Sequence, residues 1–203
     1  MHPHTLHTDN TAPVLQVSGL TGGPGPVPLF SGLELNIPAG ITAVVGDEGS
    51  GKTSLLRLLA GDLSAMSGSV STPPDGVFWV DLQGDQHAQT TVQACWEALR
   101  QRCPRWSEEL QQDLIDALDM EQHRHKRLEM LSTGSRRKVM VIAALASGAT
   151  VTLLDQPFAA LDLKSIRTLK DFLNEAAEHP SRAWIVADYE APGGVMLASV
   201  LSL

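Results

Sequence analysis

One segment of the chain has the residue types and the spacing of a phosphate-binding loop. Gly46-Asp-Glu-Gly-Ser-Gly-Lys-Thr53 matches G-x-x-x-x-G-K-[ST] at every fixed position. The glycines let successive backbone N–H groups converge on phosphate oxygens, and a helix beginning near Gly51 would direct its positive dipole end at them. Lys52 would reach the β- and γ-phosphates, and the Thr53 hydroxyl is a Mg²⁺ ligand in such loops. The candidate nucleotide-binding residues are Gly46, Gly49, Ser50, Gly51, Lys52, Thr53 and Ser54.

A second acidic motif lies about a hundred residues further along the chain, where the apolar run Val151-Thr-Leu-Leu ends at Asp155. A carboxylate at the end of a buried strand is a suitable Mg²⁺ ligand opposite a phosphate loop. An Asp at this point is also common in ordinary turns. Because both motifs occur in one chain, the sequence predicts a Mg²⁺ site that includes Thr53 and Asp155.

Short apolar runs and amphipathic segments predict the elements that position these motifs. The segment 41–45 is a β-branched run directly before the loop, and helical spacing resumes at 54–60. Further strands are expected at 14–17, 33–37, 77–80, 151–154 and 183–186, with a last one inside 195–203. The runs at 151 and 183 are apolar at consecutive positions, which is typical of parallel strands buried on both faces. A helix is expected from 162 to 177, with Leu163, Ile166, Leu169 and Leu173 on its apolar stripe.

The composition excludes several classes of protein. The chain has 203 residues, 43% of them hydrophobic, and a formal charge of −8, which argues against a nucleic-acid partner. The longest apolar run, 139–146, is too short to cross a bilayer. Two cysteines and an N-terminus without the features of a signal peptide favour a cytosolic protein. We expect a single domain with a loose tail at 1–12, whose His2, His4 and His7 have no fixed geometry for a metal.

The order of the motifs resembles the nucleotide-binding subunits of ABC (ATP-binding cassette) proteins. Leu131-Ser-Thr-Gly134 lies between the phosphate loop and Asp155 and looks like the signature element of that family, and Phe158-Ala-Ala-Leu-Asp162 looks like its D-loop. The resemblance implies an α/β P-loop NTPase fold with a mainly parallel sheet flanked by helices, small antiparallel N-terminal strands and a helical insert at about 88–140. It also implies that Gln83, or less well Gln86, completes the shell of the metal.

The same resemblance implies a mechanism and partners. Two subunits would pair head to tail, as a homodimer or a heterodimer, so that Ser132 and Gly134 serve the ATP held by the partner. Membrane permease subunits would be the other partners, which places the chain in the cytoplasm on the inner face of the cell membrane. Within the family, the segments 29–33 and 55–61 look most like the ATP-binding subunit of the haem exporter of cytochrome c maturation.

Three departures from the family pattern concern catalysis. Gln156 stands where the family has its general base, and an amide cannot accept the proton of the attacking water. Ala187 stands where the family has its switch histidine. No aromatic residue precedes Phe30 to stack on adenine, so that smaller apolar residues such as Leu20 would cover the base less well. Asp188 or Glu190 could replace the missing base. The expected activity is ATP binding with weak or absent hydrolysis; the alternative is a structural or regulatory ATP-binding subunit outside transport.

The three cations after the signature element have two interpretations. Arg136, Arg137 and Lys138 follow Gly134 on a predicted helix. They would either assist the signature element or form a solvated helix face.

Overall fold

The computed structural model of the protein describes residues 12–71, 73–81 and 87–203. The predicted tail at 1–12, apart from residue 12, and both candidate glutamines, Gln83 and Gln86, lie outside the described residues. In chain order the elements are β1 (Leu15–Gly22), β2 (Phe30–Ile37), β3 (Gly40–Val45), α1 (Lys52–Ala60), β4 (Ser67–Val70), β5 (Val77–Phe78), α2 (Val92–Arg100), α3 (Glu108–Ala117), α4 (Thr133–Ala146), β6 (Val151–Asp155), α5 (Leu163–Ala177), β7 (Ala183–Asp188) and β8 (Ser199–Ser202). Two short 3-10 helices, Glu121–His123 and Leu128–Met130, connect α3 to α4.

A five-stranded sheet with the order β5-β6-β7-β3-β8 forms the centre of the molecule. All of its strand pairs are parallel. Every residue of β6 is buried, and so are the first five residues of β7. The consecutive apolar positions in these two strands therefore indicated a sheet covered on both faces, and the predicted fold class is confirmed.

Alternate residues of β7 point into two different hydrophobic clusters. Ala183 and Ile185 pack with the leucines of α1, whereas Trp184 and Val186 pack in the cluster that includes α4 and α5. Successive side chains of a strand point to opposite faces. The sheet is thus the middle layer of three, with α1 on one side and α4 and α5 on the other.

The smaller sheet is antiparallel and has the order β2-β1-β4. Its strand β1 alternates between buried and more exposed positions at its start, because only one face meets the core. β4 was not expected from the sequence, and Gly68 allows it to come close to β1, since a Cβ at this position would lie 2.3 Å from the carbonyl oxygen of Gly19. The predicted strand at 14–17 extends to residue 22, while the strand predicted at 77–80 is only the two residues of β5.

The helices between β5 and β6 build the larger hydrophobic cluster. The apolar run 139–146 is wholly buried within α4. The indole nitrogen of Trp96 on α2 donates a 2.9 Å hydrogen bond to the carbonyl oxygen of Val139. Across the ranges that the structure describes, no helix combines the length and apolar character that crossing a bilayer would require.

One residue of the predicted apolar stripe on α5 is in the wrong environment. Leu169 and Leu173 are buried, but Leu163 is 73% exposed. Leu163 is the first residue of the helix, directly after its N-cap Asp162. The helix begins at the surface, so that Leu163 is exposed although Ser165 in the same turn is already buried.

Candidate nucleotide-binding site

The phosphate loop connects β3 to α1, as the sequence predicted. Gly51 precedes α1 with φ of 100°, a left-handed conformation, and a Cβ there would lie 2.5 Å from Leu29 Cδ2. Any other residue would therefore be strained in its backbone, and its Cβ would displace the end of the Leu29 side chain. Among the residues that the structure describes, no side chain caps the N-terminus of α1. The first backbone N–H groups of the helix are thus left for an anion, as phosphate binding requires.

Lys52 is nearly buried and turns back onto the loop. Its Nζ donates hydrogen bonds to the carbonyl oxygens of Gly46 at 2.6 Å and Asp47 at 2.8 Å. The same ammonium lies 4.9 Å from the ring centroid of Tyr189, a cation–π contact. The Lys52 ammonium thus contacts two loop carbonyl oxygens and the Tyr189 ring. Phosphate oxygens of a bound nucleotide would compete with these contacts.

Thr53 and Asp155, two of the three predicted metal ligands, are in direct contact. The Thr53 hydroxyl donates a 2.6 Å hydrogen bond to Oδ2 of Asp155. The carboxylate is buried, and its Oδ1 has no hydrogen-bond partner among the described residues. Burial raises the pKa of Asp155, partly offset by the hydrogen bond from Thr53 and the charge of Lys52. The exposed Thr53 hydroxyl and a buried carboxylate with an unpartnered oxygen are suitable for Mg²⁺, which binds to hard oxygen ligands.

An open cleft of about 740 Å³ lies against the phosphate loop. Its walls are the turn at 24–29, the loop residues Glu48, Gly49 and Gly51, the first residues of α1 (Lys52, Thr53 and Ser54), and two residues from strand ends, Gln156 and Tyr189. Glu48 is the one carboxylate among the described lining residues, and it is exposed at the tip of the loop. The cleft therefore has phosphate-binding groups but no buried carboxylate facing it from its lining.

Leu20 does not cover the cleft, contrary to the expectation from the sequence. It is fully buried in the core under the small sheet. Val27 and Leu29 line the cleft instead, and they are 77% and 46% exposed. The prediction failed because an alternating strand pattern does not reveal which face of β1 is covered by the core.

Gln156 and Ala187 lie together but face different surroundings. The Gln156 N–H donates a 2.7 Å hydrogen bond to the carbonyl oxygen of Ala187. Gln156 lines the cleft with φ of 45°, whereas Ala187 is fully buried within β7. The residue of this strand end that does line the cleft is Tyr189, which motif matching did not single out. A lone aromatic just after a strand has no spacing that would mark it.

Ser132 and Gly134 do not line the cleft of their own chain. The Ser132 hydroxyl accepts a 3.1 Å hydrogen bond from the Ser135 N–H and so caps α4. A Cβ at Gly134 would lie 2.3 Å from the carbonyl oxygen of Ala160. The signature element is thus packed directly on the segment that follows Gln156.

Arg137 and Lys138 do not form a solvated helix face. Arg137 is buried and donates hydrogen bonds to the carbonyl oxygens of Gln156 at 3.0 Å and Ala159 at 2.6 Å. Lys138 forms a 2.9 Å ion pair with Asp162. Arg137 and Lys138 therefore connect α4 to the segment 156–162. Arg137 bonds to inward-facing backbone carbonyls of that segment, and Lys138 bonds to a side chain at its end.

Comparison with known proteins decides the family. The family model described as "ABC transporter" matches residues 30–159, more than half of the chain. The chain belongs to the ABC transporter family. It is 30% identical over 208 residues to the cytochrome c biogenesis ATP-binding export protein CcmA of Cupriavidus pinatubonensis, covering 90% of this chain and 86% of that protein. It is 28% identical to the taurine import ATP-binding protein TauB of Pseudomonas fluorescens, covering 88% of this chain and 72% of that protein.

Solved structures agree with this membership at the level of the fold. An ABC transporter ATP-binding protein from Pyrococcus furiosus superposes with a TM-score of 0.73 at 19% identity, covering 93% of this chain and 96% of that one. The dimeric structure of MJ0796, a bacterial ABC transporter cassette, gives 0.71 at 18% identity, covering 87% and 88%. This chain is an ABC transporter ATP-binding subunit, and ATP is the nucleotide of its family.

Proposed function

We propose that this subunit binds ATP with Mg²⁺ in the cleft beside its phosphate loop, hydrolyses it slowly or not at all, and couples ATP-dependent dimerisation to a membrane permease. Gly46, Gly49, Ser50 and Gly51 would surround the phosphates with Lys52 and Ser54, and Thr53 and Asp155 would hold the metal. The observation that carries the proposal is the contact between Thr53 and Asp155 at the loop.

The lining of the cleft supports weak hydrolysis. A general base must lie within hydrogen-bond reach of the attacking water. Gln156 occupies the strand end where a carboxylate would serve, and its amide is able to orient a water but not to deprotonate it. Asp188 and Glu190, the alternative bases, are not among the described residues that line the cleft.

The position of the signature element supports a composite site between two subunits. Ser132 and Gly134 lie apart from the cleft of their own chain, so they would serve a nucleotide held by a second cassette. A heterodimer suits this chain, because a competent partner would hydrolyse the ATP that this chain's signature element completes. Pairing with a permease would place the subunit in the cytoplasm, peripheral on the inner face of the cell membrane. The relatives named for cytochrome c biogenesis support a haem-type export system.

The proposal is tested by calorimetry and turnover on the full chain. ATP with Mg²⁺ should bind, and Lys52→Ala should weaken binding by at least about tenfold, since one charged donor to phosphate is lost. Lys164→Ala is the matched control, because Lys164 is an exposed lysine that pairs with Asp119 on the surface. Absence of binding heat would overturn the proposal, and phosphate release by the chain alone at an ordinary enzymatic rate, about 10 s⁻¹, would overturn its statement on hydrolysis.

Co-purification distinguishes transport from the alternative role. A membrane permease recovered in stoichiometric amount supports the transport subunit. A purely soluble partner would instead support a structural or regulatory subunit, in which bound nucleotide stabilises an assembly.

A further inference from the structure

Tyr189 is the only tyrosine of the chain, and its ring faces the lysine of the phosphate loop. It follows the end of β7 and is 49% exposed. Its backbone N–H donates a 2.8 Å hydrogen bond to the carboxylate of Asp188. Tyr189 is also one of the residues that line the cleft beside the phosphate loop.

The contact with Tyr189 completes the environment of Lys52. Two of the directions around the ammonium are taken by carbonyl oxygens of the loop, and the ring takes another. Phosphate oxygens that bind to Lys52 must therefore enter a space that the Tyr189 ring borders. A phosphate group that reaches the ammonium therefore lies close to the Tyr189 side chain.

The chemistry of the phenol fits a phosphate and not a base. At neutral pH a phenol is uncharged and able to donate one O–H hydrogen bond. On the side of Lys52 where β6 and β7 end, the described lining residues are Gln156 and Tyr189, both uncharged. A neutral donor beside an anionic oxygen makes a charge-assisted hydrogen bond, which is stronger than one between neutral groups.

We infer that Tyr189 is the residue by which this subunit distinguishes ATP from ADP: its ring faces Lys52, and its hydroxyl donates a hydrogen bond to the terminal phosphate of bound ATP. This inference rests on the proposed ATP binding at the same loop. ADP lacks the phosphate that would accept this bond, so the hydroxyl contributes nothing to ADP affinity.

Calorimetry with Mg²⁺ and either ATP or ADP tests the inference on the full chain. Tyr189→Phe keeps the ring beside Lys52 and removes only the hydroxyl. It should weaken ATP binding about tenfold, the value of one charge-assisted hydrogen bond (~1.4 kcal/mol), and leave ADP binding unchanged. Glu175→Gln is the control, because this exposed carboxylate on α5 is not among the described cleft residues and should change neither affinity.

Nuclear magnetic resonance gives a second readout that a merely structural role would not produce. Because the chain has one tyrosine, ¹³C labelling of tyrosine rings yields the signals of Tyr189 alone. These signals should shift more on adding ATP with Mg²⁺ than on adding ADP with Mg²⁺.

The outcomes separate this inference from the proposed function. If neither nucleotide binds to the wild-type chain, both fall. If ATP binds but Tyr189→Phe leaves the ratio of ATP to ADP affinity unchanged, or if both nucleotides shift the ring signals equally, the inference alone is overturned.

Discussion

The Thr53 hydroxyl donates a 2.6 Å hydrogen bond to Oδ2 of Asp155, from the first turn of α1 to the last residue of β6. This bond fixes one carboxylate oxygen and leaves the buried Oδ1 without a partner among the described residues. The side chain is therefore oriented for a ligand that the folded chain itself does not provide. Such preorganisation has a cost in the empty protein, because a buried carboxylate is poorly solvated.

Asp155→Asn should stabilise the empty protein and weaken its binding of ATP with Mg²⁺. The native pKa of Asp155 is raised mainly by burial, so the ionised form costs stability. This loss of folding free energy is absent below the pKa of Asp in the unfolded chain, about 3.9. It develops as the pH rises through the higher pKa of Asp155 in the folded protein. At pH 7 the Asn variant should have the higher melting temperature, while its affinity for the metal complex should fall about 10- to 100-fold.

Asp171→Asn on the exposed face of α5 is the control for both measurements. It should change neither the melting temperature in calorimetric scans nor the affinity in titrations. A lower melting temperature for Asp155→Asn would mean that the hydrogen bond from Thr53 and the positive charge of Lys52 stabilise the carboxylate by more than its burial costs.

Gln156→Glu should raise ATP turnover. It restores a carboxylate at the strand end that lines the cleft, and general-base catalysis typically contributes about 10²–10⁴-fold. The left-handed backbone at this position is unchanged, because both side chains have the same unbranched Cβ. Phosphate release should be followed for the chain alone and with its co-purified partners.

Gln156→Ala is the control for that gain, since it changes the same position without adding a base. An equally low rate for the Glu and Ala variants would show that the cleft lacks more than a proton acceptor.

Arg137→Met should destabilise the fold. The guanidinium satisfies the carbonyl oxygens of Gln156 and Ala159, which methionine would leave unpaired. We expect the free energy of unfolding in urea to fall by about 2–4 kcal/mol. Arg167→Met on the exposed side of α5 should stay within about 0.5 kcal/mol of the wild type. If Arg137→Met were as stable as the wild type, the free-energy cost of removing the guanidinium from water would be as large as the stabilisation from its two hydrogen bonds.

Protonation of Asp162 should lower the stability of the protein in acid. The N–H of Ser165, followed by the Lys138 and Ser165 side chains, holds the pKa of the Asp162 carboxyl well below its usual range. The resulting stability is complete above the unfolded pKa and is lost as the pH falls through the native value. Asp162→Asn should therefore show a shallower fall of melting temperature between about pH 4 and pH 2 than the wild type. Asp113→Asn, an exposed carboxylate on α3, should reproduce the wild-type profile.

The phosphate loop and the central strands could be predicted because local chemistry determines them. Gly51 needs a left-handed backbone, and the mostly apolar residues of β6 and β7 are buried in the middle layer of the molecule. The pairing of Thr53 with Asp155 followed from these elements, since a strand next to the loop brings its last residue to the first turn of the helix.

The remaining features depend on contacts distant in sequence. β4 (Ser-Gly-Ser-Val) has no apolar alternation and is a strand only because β1 offers it a free edge. Arg137 is buried because two carbonyl groups about twenty residues away turn toward it. Leu20 and Tyr189 could not be placed because nothing in a single sequence says which side of a strand, or of its end, faces a cleft.

The close approach of Gly134 to Ala160 has a consequence for how such sequences evolve. Any side chain at residue 134 would push against the Ala160 carbonyl, and Ala160 itself has φ of 61°, which leaves that turn little room to yield. Mutations at this position are therefore eliminated by the folding of the chain, independently of any nucleotide. A lineage that loses ATP hydrolysis would keep this glycine for as long as it keeps the fold.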